Sequence, residues 1–165
     1  MPPPLESIAD RWMTRRDEEP PLAGWVRGAL LGLALGLIVV FALACWLDPY
    51  EADGTPLRQA THQQLGLPPC TFYGVTGLAC PSCGMTTSFA LLVRGDLVNA
   101  FRANSVGLLL ALAGLGLIPW CLVSAFRRQT LFVRSLEKTA TYVVLGFLAL
   151  MILRWSVVLL LGWRI

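Results

Sequence analysis

Residues 28–47 read GALLGLALGLIVVFALACWL, and none of these twenty side chains carries a charge. An α-helix rises about 1.5 Å per residue, so this stretch is roughly 30 Å long, which matches the hydrocarbon core of a bilayer. The stretch therefore predicts a transmembrane helix and argues against an ordinary soluble domain.

Two further stretches show the same pattern. Residues 105–126 contain no charge, and residues 139–163 contain one, that of Arg154. Over the 165 residues, 56% of the side chains are hydrophobic, 14% are charged, and the mean hydropathy is +0.64. We therefore predict an all-α, multi-pass membrane protein with three transmembrane helices, at about 28–47, 105–126 and 139–163.

The basic residues predict the orientation of these spans, because Lys and Arg beside a span are retained in the cytoplasm. Four arginines precede the first span and four basic residues separate the second from the third, whereas the longer segment 48–104 holds three. We expect a flexible cytoplasmic tail over residues 1–24, a single membrane domain over 25–165, and an exterior loop over 48–104. The basic residues flank spans and form no stripe, so the expected environment is a lipid bilayer, with no nucleic-acid partner.

The exterior loop divides into two parts. Residues 48–79 are rich in Pro, Gly, Thr and Gln, which predicts an ordered loop without long regular elements. Residues 85–93 lack Gly and Pro and predict a helix that Gly95 ends, and Asp96 then caps a second helix over 97–103. Both are too short to span a bilayer, so we predict short interfacial or re-entrant helices leading into the second span.

Three cysteines form a cluster in this loop: Cys70, Cys80 and Cys83, the last two within the run CPSCG. A Cys-x-x-Cys pair forms a redox-active disulfide or binds a metal ion, and no βαβ pattern surrounds it, which excludes a thioredoxin fold. Three thiolates with His62, the single histidine, would suit tetrahedral zinc. A disulfide that staples the loop in an oxidising exterior is the third alternative. The sequence leaves all three open.

Arg154 is the one charge inside a predicted span. A guanidinium is costly in hydrocarbon, so such residues face a bundle interior, a polar cavity or the interface. Counted from residue 139, Arg154 lies about 22 Å along the helix, on the side of the cysteines. We expect it to meet the backbone of residues 84–87 or the side chain of Asn104. Alternatively, the span ends near Arg154 and an interfacial tail follows.

The run CTFYGVTGLACPSCGMT at residues 70–86 is followed by an Arg-Gly-Asp triplet at 94–96 and by Asn104. Together they resemble the domain of unknown function 2752 family, which consists of small bacterial membrane proteins. The resemblance implies the inner membrane of a bacterial cell and a set of motif and supporting residues: Gly77, Pro81, Gly84, Thr86, Arg94, Gly95, Asp96, Asn104 and Arg154. Thr87 and Ser105 stand where the family commonly has Arg and Pro. The biochemistry of the family is undetermined, so the resemblance indicates a site and no reaction.

Two functions are compatible with these features. The first is a membrane thiol protein with a redox-active or metal-binding cysteine cluster, in which Cys70 is a resolving thiol or a third ligand. The second is a non-enzymatic assembly or accessory protein whose disulfide-stapled loop docks a membrane-protein partner. The single histidine and the lack of a cofactor motif favour the second. Whether the protein is an enzyme stays open at this stage.

Overall fold

The computed structural model describes residues 22–129 and 135–160. Most of the predicted tail and the last residues of the third predicted span lie outside these ranges. The α-helices of the described part are α1 (Gly24–Trp46), α2 (Thr71–Thr76), α3 (Met85–Val93), α4 (Leu97–Ala103), α5 (Ser105–Arg127) and α6 (Leu136–Leu160), and a 3₁₀ helix (Thr61–Leu65) precedes α2. Helices α1, α5 and α6 are long and apolar enough to cross a membrane. The prediction of a multi-pass α-helical membrane protein is confirmed.

The bounds of the three long helices differ slightly from the predicted spans. Helix α1 begins at Gly24 and α6 begins at Leu136, each a few residues before the uncharged stretch. The uncharged stretches begin only after Arg27 and Lys138. The helices begin earlier, because charged residues at the end of a helix do not break its hydrogen bonds. The short helices α3 and α4 have the predicted bounds.

The corner between α3 and α4 follows the predicted chemistry. Gly95 has a φ of +79°, and its N–H donates to the carbonyl of Leu92 at 2.9 Å while the N–H of Asp96 donates to the carbonyl of Leu91 at 3.0 Å. This pair of bonds is the Schellman motif that ends helices at glycine. The Asp96 carboxylate then accepts the N–H of Asn99 at 3.2 Å, which caps α4. The chain reverses there without leaving these backbone groups unpaired.

Helix α3 occupies the centre of the fold, in contact with α1, α4 and α5, and its residues 87–92 are buried. Helices α1 and α5 pack on each other, and Phe41 of α1 contacts both the Phe89 ring at 5.6 Å and the surface of α5 at Gly114. The N–H of Leu22 donates to the carbonyl of Arg128 at 2.8 Å, so the start of α1 lies beside the end of α5. The two helices are therefore antiparallel, and the cysteine loop lies at the opposite end of the pair.

Helix α4 has two different faces. Ala100 and Ala103 are fully buried, whereas Leu97, Val98 and Phe101 are exposed. Small residues allow α4 to approach its neighbours closely, and the large apolar residues point away from them. An outward apolar face at the end of a helical bundle is what an interfacial helix requires.

Gly84 immediately precedes α3 with a φ of +80°, and a Cβ there would lie 2.6 Å from the carbonyl oxygen of Ala103 and 2.7 Å from that of Arg58. These are backbone atoms that cannot rotate away. We expect Gly84→Ala to destabilise the fold by about 3 kcal/mol or more, since overpacking adds to the cost of the left-handed conformation. Thermal unfolding in detergent measures the effect.

Gly95→Ala is the matched control. Its φ of +79° is nearly the same, but no heavy atom lies within 4 Å of the added Cβ. Only the conformational cost of about 1–2 kcal/mol applies. Equal destabilisation by the two variants would contradict the close-approach explanation.

Candidate thiol site

The three loop cysteines lie together in the structure. The Sγ atoms of Cys70, Cys80 and Cys83 are all within 4.8 Å of one another, and those of Cys80 and Cys83 are 2.9 Å apart. All three are free thiols and partly buried. The other two cysteines lie elsewhere, Cys45 near the end of α1 and Cys121 buried within α5. The cluster is thus a local unit of three sulfurs.

Two chain reversals bring these sulfurs together. Cys70 immediately precedes α2, which ends at Gly77 with a φ of +69° and a bond from the Gly77 N–H to the carbonyl of Tyr73. Cys80 and Cys83 then form a turn in which the N–H of Cys83 donates to the carbonyl of Cys80 at 3.1 Å. Pro81 occupies the second position of this turn, where its fixed φ is favourable. Gly77 and Pro81 therefore shape the site without contributing reactive groups.

The sulfur of Cys83 accepts a backbone hydrogen bond from within its own turn. A cysteine close to a helix start is expected to face the free N–H groups of the first turn. In the structure the backbone N–H that donates to the Cys83 Sγ is that of Cys80, at 3.2 Å. The reason is that Gly84 separates Cys83 from α3 and turns the chain with a positive φ.

The two thiols of the Cys-x-x-Cys pair have opposite acidities. Burial raises the pKa of Cys80, but hydrogen bonds from the Cys83 thiol and the Ser82 hydroxyl outweigh burial and hold this pKa below its ordinary value. Burial and the bond to Cys80 raise the pKa of Cys83 to about 12. Cys80 is thus the more acidic thiol and the better nucleophile of the pair, and Cys83 is the thiol that keeps its proton.

A cavity of about 640 Å³ opens beside the thiols. All three cysteines line it, and so do His62, Tyr73 and Thr86. His62 is on the cavity wall. Among the described residues, however, its ring nitrogens do not belong to the group of ligand atoms that lie within 4.8 Å of one another, which consists of the three sulfurs. Of the four predicted zinc ligands, the three thiols therefore lie together. His62 lines the same cavity but lies outside the cluster of sulfur atoms.

Asn104 joins the thiol turn to two helices. This side chain is completely buried, and its Oδ1 accepts the N–H of Gly107 at 2.9 Å, which caps α5. Its Nδ2 donates to the carbonyl of Cys83 at 3.1 Å, and its own carbonyl accepts the hydroxyl of Ser88 at 3.1 Å. A buried amide satisfied in this way fixes the position of each partner.

The Arg-Gly-Asp triplet is structural. Arg94 donates to the carbonyls of Ala90 at 2.9 Å and Ala44 at 3.3 Å, so its charge neutralises the carboxyl end of α1 as well as that of α3. Asp96 caps α4 and also accepts the phenol of Tyr50 at 3.3 Å. These contacts hold this end of the bundle together.

Thr87 is buried, with 1% of its surface exposed. Its hydroxyl bonds that of Thr61, also fully buried, at 2.8 Å. This pair attaches the 3₁₀ helix to α3 beside the thiol cavity. Nothing in the sequence pattern indicated the pairing, because the two residues are 26 positions apart.

Helix α6 reaches the thiol loop through two adjacent residues. Arg154 donates to the carbonyl of Ala103 at 3.2 Å, and the indole N–H of Trp155 donates to the carbonyl of Ala79 at 2.9 Å. The Trp155 ring also meets the edge of Phe72, with centroids 6.1 Å apart. Arg154 turns inward as expected, although its acceptor is the carbonyl beside Asn104 and not the backbone of residues 84–87.

The role of Trp155 was missed by sequence reasoning. If the span ended near Arg154, Trp155 would lie in the interfacial tail, where an indole ring anchors a helix end at the headgroups. Its N–H needs a partner when it is partly buried, and this requirement was the available signal. The helix continues to Leu160, so both residues lie within α6 and not in a tail.

The thiol loop also lies within a match to a known family. Residues 70–118 match the family model described as protein of unknown function (DUF2752). This match confirms the resemblance read from the sequence, and it covers the three thiols, α2 to α4 and more than half of α5. No curated protein and no solved structure matched the chain. The matched segment therefore contains the three thiols, and the family description assigns no reaction to them.

We expect Trp155→Phe to loosen the thiol loop, because it keeps a ring against Phe72 but removes the hydrogen bond to Ala79. A lost bond of about 1 kcal/mol corresponds to a roughly fivefold higher alkylation rate of Cys80. Arg154→Leu should act in the same direction. Site-resolved alkylation followed by mass spectrometry measures both rates.

Ser156→Ala serves as the control, because its hydroxyl bonds the carbonyl of Ile152 within the same helix. The alkylation rate of Cys80 in this variant should equal that in the unsubstituted protein. If Trp155→Phe and Arg154→Leu also leave the rate unchanged, α6 does not hold the loop.

The opposite acidities predict different pH profiles for alkylation by iodoacetamide. Only thiolates react, so Cys80 should stay reactive at pH values below the ordinary thiol range, whereas Cys83 should be inert until the pH approaches its pKa of about 12. Ser82→Ala removes one donor and should move the Cys80 profile to higher pH. Coincident profiles for the two cysteines would contradict this assignment.

Proposed function

We propose that this chain is a membrane thiol protein in which Cys80 and Cys83 cycle between dithiol and disulfide, with Cys70 as a third, exchanging thiol. The observation that supports this function is the 2.9 Å contact between two sulfurs of opposite acidity, with a third sulfur within 4.8 Å. An isolated packing cysteine needs no such arrangement.

The chemistry follows from the opposite acidities of the two thiols. The Cys80 thiolate attacks one sulfur of a substrate disulfide, and the leaving substrate thiolate takes up a proton. Cys83 then loses its proton and attacks Cys80 Sγ, which releases the second substrate thiol and forms the Cys80–Cys83 disulfide. Two electrons pass from the protein dithiol to the substrate disulfide. Cys70 is close enough to attack Cys80 Sγ in turn, which opens the Cys80–Cys83 disulfide and frees the Cys83 thiol.

We further propose that the thiols face the exterior of a bacterial inner membrane, with the N-terminus in the cytoplasm. The basic residues around the start of α1 and the end of α5 support this orientation, because both lie at the end of the bundle away from the cysteines. An oxidising exterior is the compartment in which protein disulfides persist.

A soft metal site is the second candidate, and the third thiol favours it. A redox pair needs two sulfurs, whereas three thiolates are a recurrent ligand set for zinc, with Zn–S bonds of about 2.3 Å. A fourth position would face the cavity that His62 borders. Binding would require Cys80 and Cys83 to separate from their 2.9 Å contact.

A purely structural disulfide in an accessory protein is supported less well. Asn104, Trp155 and Arg154 already hold the loop through hydrogen bonds to the carbonyls of Cys83, Ala79 and Ala103. A loop held in this way does not need a covalent staple to keep its shape.

The test uses the full chain in lipid nanodiscs, purified without reductant and equilibrated with glutathione redox buffers. We expect a Cys80–Cys83 disulfide that forms and is reduced reversibly, is lost in Cys80→Ser, and is unchanged in the control Cys121→Ser. In intact cells, a membrane-impermeant maleimide should label the cluster after reduction if the thiols face the exterior.

Two outcomes overturn the redox proposal. Stoichiometric metal with three reduced thiols would establish the metal site instead. A disulfide that glutathione cannot reduce in the folded protein would establish the structural staple, and with it the accessory function.

A further inference from the structure

The thiol cavity is adjacent to a second, apolar one. This groove, of about 230 Å³, runs between the last two turns of α1 and the first turns of α3. Its lining residues are Val40, Leu43, Ala44, Leu47, Leu65, Met85, Thr86 and Phe89. Met85 and Thr86 also line the thiol cavity, so the two spaces are neighbours at the start of α3.

The groove is open on the side of α1 that is not covered by protein. Val40 and Leu43 are 43% and 41% exposed, and both belong to a helix that is long and apolar enough to cross the membrane. In a bilayer this side faces acyl chains. The groove therefore faces the hydrocarbon on one side and borders the cavity of the three sulfurs on the other.

The combined shape fits an amphiphile with a polar head and a single long apolar tail. The thiol cavity offers a hydroxyl from Thr86 and an imidazole from His62 on its walls, which are groups that hydrogen-bond to carbonyl oxygens. The groove offers hydrocarbon side chains almost throughout. The head would lie against the sulfurs that the proposed function makes reactive.

We propose that the site binds a membrane quinone, with its ring in the thiol cavity and its isoprenoid tail in the groove, as the electron acceptor of the Cys80–Cys83 dithiol. This inference rests on the proposed redox function. Thiol–disulfide exchange is reversible, so the Cys80–Cys83 disulfide that the quinone forms can run the proposed exchange in the opposite direction, with a substrate dithiol as the reductant that returns the pair to the dithiol.

The reaction balances within the site. The Cys80–Cys83 bond forms, and its two electrons pass to the quinone ring. Two protons convert the two ring carbonyls to hydroxyls, one from the Cys83 thiol and one from water, to which Cys80 gave its proton on ionising. One dithiol and one quinone yield one disulfide and one quinol.

The experiment uses the fully reduced chain in quinone-free nanodiscs under argon. It compares 2,3-dimethoxy-5-methylbenzoquinone, which has no tail, with its decyl derivative, and follows quinone absorbance together with thiol content. We expect one quinol per chain, loss of the Cys80 and Cys83 thiols, and a lower KM for the decyl quinone, where KM is the quinone concentration that gives half of the maximal single-turnover rate. Cys83→Ser should abolish quinol formation.

Two substitutions on α1 test the groove. Val40→Trp fills it, and we expect the KM for the decyl quinone to rise about tenfold, the equivalent of roughly two buried methylenes, with no change for the tail-free quinone. Val39→Trp is the matched control, because Val39 is 50% exposed on the same helix but does not line the groove. It should change neither KM.

The outcomes separate this inference from the proposed function. Reversible glutathione exchange without any quinol would overturn the quinone proposal and leave the thiol function standing. Equal effects of Val40→Trp and Val39→Trp would overturn the groove as the tail site. A dithiol that neither glutathione nor quinone oxidises would overturn both.

Discussion

The structure of the thiol site depends on a close backbone approach at Gly84. A Cβ added to this residue would lie 2.6 Å from the carbonyl oxygen of Ala103 and 2.7 Å from that of Arg58. Three segments of chain therefore meet at one point that tolerates no side chain. The carbonyl of Ala103 also accepts the Arg154 guanidinium. The start of α3, the end of α4 and helix α6 are thus positioned by one small region of backbone.

Around this point the buried polar groups satisfy one another. Asn104 bonds the thiol turn and caps α5, Ser88 bonds the carbonyl of Asn104, and the hydroxyls of Thr61 and Thr87 pair. An unpaired polar group would be costly at this position, because it lies between helices that are apolar enough for a bilayer. The network orders a loop that is poor in regular structure, and so it presents three thiols to the cavity in a fixed arrangement.

The sequence predicted the local features well. The uncharged stretches gave three candidate spans, since the number of residues needed to cross hydrocarbon is set by helix rise alone. The bounds of α3 and α4 were also predicted, because Gly95 and Asp96 act on backbone groups within five residues of themselves. The family resemblance was read from the thiol segment, and the family-model match over residues 70–118 confirms it.

The sequence by itself determined which segments are helical, which of them can span a membrane, and that three cysteines lie in one loop. Only the tertiary structure decided that Trp155 bonds the carbonyl of Ala79, that Thr87 bonds Thr61, and that the groove on α1 borders the thiol cavity at Met85. Hydropathy and capping depend on neighbours along the chain, whereas these contacts join residues from 26 to 76 positions apart. They depend on how the helices pack, and the spacing of residues along a single helix carries no information about that packing.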